Sequence, residues 1–102
     1  MRYLCSELVV LQRGTTDSTV NLEEIWTTGA AIETDNMLAA GETVELKCGE
    51  NRFPATTTLV AKHEFGCRVE MEFAKGVTWS PDLFQPHHML DPQTLLAKKV
   101  EN

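Results

Sequence analysis

The sequence predicts an all-β fold, an antiparallel barrel or sandwich, on three observations. Cys67, Val69, Met71 and Phe73 alternate with Arg68, Glu70 and Glu72, the period-two pattern of a strand with one buried face. About six short apolar or β-branched runs are separated by turn residues, a spacing that suits antiparallel strands better than β-α-β units. The four prolines all lie in the second half, three of them after residue 80, dividing a strand-rich body from a tail.

Each element follows from its residues. Leu4 to Gln12 is apolar enough for a first strand, and Arg13 to Ser18 is a turn-rich link. Thr19 to Trp26 is a second strand, with Val20, Leu22 and Glu24 expected on one face and Asn21, Glu23 and Ile25 on the other. Thr27-Thr28-Gly29 makes a turn, and Ala30 to Thr34 a short strand that Asp35-Asn36 ends. After Gly41-Glu42, Val44, Leu46 and Cys48 alternate with Thr43, Glu45 and Lys47. Gly49 to Arg52 is read as a turn. Phe53 to Lys62 is rich in threonine and valine, which favour a pleated, half-buried surface, with Pro54 at the strand start or an edge because it cannot donate to a ladder. His63 to Gly66 is a hairpin connection into the Cys67–Phe73 strand. Trp79 to Pro86 mixes aromatics and prolines, and is expected to pack as irregular chain over an open barrel end. Asp91-Pro92 matches a helix N-cap with proline at the first position, and the lysines at 98 and 99 suit a last turn, so a short C-terminal helix is expected at about 92–99.

Composition bounds the function. At 102 residues, 42% of them hydrophobic, the chain suits a single domain, with a barrel at about 3–76 and a tail and helix at about 77–102. Fifteen acidic residues against nine basic ones give a net charge of −6, which disfavours DNA or RNA as a partner, since that affinity comes mainly from cations on phosphates. No apolar run approaches the ~18 residues of a membrane span. The first seven residues lack the apolar core of a secretory signal, so a cytoplasmic location is expected. Cys5, Cys48 and Cys67 are odd in number and widely spaced, fitting free thiols rather than a disulfide framework or a metal pair.

The run Val20-Asn21-Leu22-Glu23-Glu24-Ile25-Trp26-Thr27-Thr28-Gly29-Ala30-Ala31-Ile32, then Leu38 to Leu46, Phe53 to Val60 and Gly66 to Phe73, resembles a PilZ domain over residues 18 to 74. The resemblance implies a six-stranded antiparallel β-barrel with a short helix, and a cytoplasmic bacterial module of cyclic di-GMP signalling. Nucleotide-binding members of that family carry Arg-x-x-x-Arg near the first strand and Asp/Asn-x-Ser-x-x-Gly at the next turn. Guanidinium groups fork to phosphates and stack on guanine, while the short polar side chains take the guanine edge. Here the second motif falls on Glu24-Ile25-Trp26-Thr27-Thr28-Gly29, where Gly29 alone matches; it is the one ligand-binding residue the resemblance supplies. Glu24 is one methylene longer than the motif acid, and Trp26 replaces a hydroxyl. Arg2 and Arg13 stand eleven positions apart, so the first motif is absent.

The reading is therefore a non-enzymatic PilZ-like module with degenerate motifs, without metal or cofactor, acting through a protein partner or as a homodimer. The alternative is a direct cyclic di-GMP receptor using arginines outside the motif, with Arg2, Arg13, Arg52 and Arg68 as candidates. The two separate on whether at least two of those arginines converge beside Gly29. His87 and His88 read as a surface pair, because successive extended side chains point opposite ways. Trp26, Phe65, Trp79 and Phe84 read as plugs of the barrel ends, with an exposed protein-interface cluster as the alternative, and Glu70 and Glu72 as a solvent face.

Overall fold

A computed structural model describes residues 1–90, and the expected helix at about 92–99 lies outside them. Six strands, β1 (Tyr3–Arg13), β2 (Thr16–Trp26), β3 (Gly29–Thr34), β4 (Thr43–Cys48), β5 (Asn51–His63) and β6 (Gly66–Phe73), form a closed barrel in the order β1-β2-β3-β6-β5-β4. Every pairing is antiparallel. Two three-stranded meanders are thus joined edge to edge, by β3 against β6 and β4 against β1.

Within each meander the links are two residues long: Gly14-Thr15, Thr27-Thr28, Gly49-Glu50 and Glu64-Phe65. This shortens all four of the expected turns. The β1–β2 ladder continues to Arg13↔Thr16, and β5 begins at Asn51, paired with Cys48. Gly14, at φ +59°, supplies the positive φ that a tight hairpin turn needs at its first central position. The long link, residues 35–42, crosses one barrel end. Its Leu38 is buried, and the Thr57 hydroxyl ties it down by donating to the Ala39 carbonyl at 2.7 Å and accepting from the Glu42 N–H at 2.9 Å.

The interior follows the alternation, with one correction. Val20 and Leu22 face inward as expected, but so does Ile25, which is fully buried, while Glu24 turns outward. The cause is a β-bulge: Leu22 faces Ile32 and Glu24 faces Ala31, so Glu23 is an extra residue that shifts the facing by one. A similar bulge at Thr58 lets Thr57 and Val60 both point toward the core and leaves Leu59 outside.

The chain after β6 closes the other end. Trp79 is 2% exposed, meets Tyr3 edge-on at 5.6 Å, and donates its indole N–H to the Phe84 carbonyl at 2.8 Å. Its own backbone N–H bonds the Thr27 carbonyl. The strap then runs along β1, where Ser6 N–H donates to the His87 carbonyl and Leu90 exchanges backbone bonds with Leu4. Pairing of β1 with β4 covers only Val10 to Gln12, so the strap satisfies edge groups that β4 does not reach.

Candidate functional site

The site is built on the outer face of the barrel, around Gly29. The tight β2–β3 hairpin sets Trp26 opposite Gly29, and β6 sets Glu72 on the other side. Ile25 is inside, so the adjacent Trp26 points out. A Cβ on Gly29 would clash with the Met71 carbonyl and lie 2.8 Å from two atoms of the Trp26 indole, so the indole lies across the bare backbone. Glycine is required here for close approach. Arg2, which precedes β1, places its guanidinium carbon 3.8 Å from the centroid of a Trp26 ring, a cation–π stack.

The next outward row is Glu24, Ala31 and Glu70. Arg2 pairs with Glu24 at 3.4 Å and Glu70 at 3.2 Å. Arg68, on β6, reaches Glu23 at 3.5 Å, Glu24 at 3.3 Å and Glu70 at 3.0 Å. Ala31 is fully buried although it belongs to the outer face. The hydrogen bond from Arg2 holds the Glu70 carboxyl below the usual carboxylate range, and the same bond holds the Arg2 guanidinium above its ordinary value. Three carboxylates surround two guanidiniums, leaving the cluster net acidic before the exposed Glu72 is added.

Two of the four candidate arginines, Arg2 and Arg68, therefore meet on Glu24 and Glu70, in the row next to that of Gly29. The other two do not: Arg13 bonds Glu42 at 2.8 Å and Arg52 bonds Glu45 at 3.3 Å. Glu70, expected as mere solvent face, is a shared acceptor for both converging arginines. The alternation of β6 already placed Arg68 and Glu70 on one face, but nothing in the sequence linked them to Arg2.

Of the aromatics expected as plugs, Trp79 is one and Phe84 packs against the core, whereas Phe65 is 82% exposed and Trp26 is half-buried on the outer face. His87 and His88 are both exposed, with His87 against Glu7, and His63 is bonded to Glu33 on another part of the barrel. Among the described residues no three His, Cys, Asp or Glu side chains cluster as a metal site. Burial pushes the Cys5 and Cys48 thiols up to about 12, so both stay protonated and unreactive at neutral pH. No helix among the described residues is long and apolar enough to cross a membrane. Compared with protein families, with curated proteins and with solved structures, the chain matches none.

Proposed function

We propose that the chain is a non-enzymatic, PilZ-like binding module of cyclic di-GMP-type signalling in the cytoplasm, with its nucleotide site degenerate and its action exerted through protein contacts. One observation carries this reading: the arginines nearest Gly29 are already engaged by Glu23, Glu24 and Glu70, and Trp26 covers the glycine itself. A cyclic dinucleotide carries two phosphates. To reach Arg2 and Arg68 they would have to displace carboxylates from a net-acidic cluster, on a chain of charge −6. The half-exposed Arg2–Trp26 stack, by contrast, joins two of the residue types that dominate protein-interface hot spots.

The second reading, a direct cyclic di-GMP receptor, is favoured by the meeting of Arg2 and Arg68 on Glu24 and Glu70, one row from Gly29. Calorimetric titration with cyclic di-GMP, at low and at physiological salt, decides between them. The expected result is no binding heat for the native chain. Micromolar, salt-sensitive binding that is lost in Arg2→Ala and Arg68→Ala would replace the protein-contact reading with the receptor reading.

A further inference from the structure

Barrel closure leaves part of β5 unpaired on one side. β4 pairs with β5 only from Asn51 to Thr56, and the 35–42 link takes up both backbone groups of Thr57. Beyond the Thr58 bulge, Leu59 to His63 pair with β6 alone, and among the described residues no backbone bond reaches their other edge. Alternate residues of an antiparallel strand turn their N–H and C=O away from the partner, so this edge presents groups in the spacing that another strand matches. Leu59, Ala61, Lys62 and His63 are exposed, Leu59 at 55%.

Charge and symmetry select a second copy of this chain as the occupant. The chain is strongly acidic, yet Thr56 to His63 contains no carboxylate and carries Lys62, and the nearby Glu33 is paired with His63. A two-fold axis sets a strand antiparallel to its own copy. With the axis at Ala61, the two Ala61 residues face each other, Leu59 faces the copy's His63, and Val60 faces the copy's Lys62. Opposed residues then share a sheet face, no like charges are opposed, and the smallest side chain lies where the chains approach most closely. A further open edge, Thr16 to Val20 on β2, lacks these features because it includes Asp17.

We infer that the chain self-associates by antiparallel pairing of β5 with β5 of a second copy across Leu59–His63. The inference rests on the protein-contact reading and gives it one defined partner, while nucleotide binding at Arg2 and Arg68 is decided separately by calorimetry. Sedimentation equilibrium of the full chain, from micromolar to submillimolar, is expected to show a monomer–dimer equilibrium. Ala61 is exposed, so Ala61→Glu and Ala61→Lys keep the fold, as circular dichroism checks, but each sets like charges face to face at the axis. Each is expected to weaken association by about tenfold or more, and an equimolar mixture of the two to restore it. A native chain that stays monomeric throughout, a dimer indifferent to both substitutions, or a mixture that fails to reassociate would overturn the inference. Cyclic di-GMP binding by a chain that also dimerises through β5 would overturn the degenerate-site reading and leave this surface standing.

Discussion

Gly29 is the residue on which the outer-face cluster depends, and its role is steric. Any side chain there meets the Met71 carbonyl and the Trp26 indole together, and only the indole can move. Gly29→Ala is therefore expected to destabilise the fold by about 1–3 kcal/mol, the range for overpacking a tight site. A urea titration measures it; an unchanged midpoint would mean that the hairpin opens without strain. The need for glycine seen here comes from packing between strands.

Among the elements, the bulge at Glu23 has the largest consequence for the site. It returns Ile25 to the core and sends Glu24 outward to Arg2 and Arg68, converting an imperfect alternation into a regular interior and a charged exterior. The strap after β6 is the other decisive element, because Trp79 plugs a barrel end and fixes the chain that pairs with β1. Trp79→Ala is expected to cost about 3–5 kcal/mol, a large part of the ~5–15 kcal/mol typical of a whole domain. Trp79→Phe should cost less, since it keeps an aromatic ring and gives up chiefly the bond to the Phe84 carbonyl. Equal urea midpoints for the two variants would show that the ring does not fill the barrel end.

For the whole molecule, charge and closure act together. Among the described residues two carboxyls sit below their ordinary value of 4.5: Glu42, held chiefly by the Ala39 N–H with Arg13 second, and Glu70, held chiefly by Arg2. A carboxyl depressed in the folded state adds stability above its unfolded pKa, and that stability is lost as pH falls through the folded pKa. The urea midpoint is therefore expected to fall as pH drops below about 4.5. The Glu42→Gln, Glu70→Gln double variant should show a shallower fall over the same window. Parallel acid limbs for the two proteins would assign acid sensitivity to general charge rather than to these bonds.

Residue order was enough to predict the all-β fold of the described residues and to place all six strands to within a few residues at their ends. Alternation and turn residues are local signals, and in Cys67–Phe73 they agree over the whole strand. It also marked Gly29 and Trp26, and four candidate arginines, Arg2, Arg13, Arg52 and Arg68, without separating the two that meet from the two that do not. Tertiary structure alone decided closure in the order β1-β2-β3-β6-β5-β4, the outward turn of Glu24, the meeting of Arg2 with Arg68, and the open edge of β5. The reason is physical: a bulge reverses facing without any change of residue type, and ladder register brings Arg2 and Glu70 together across 68 positions of chain.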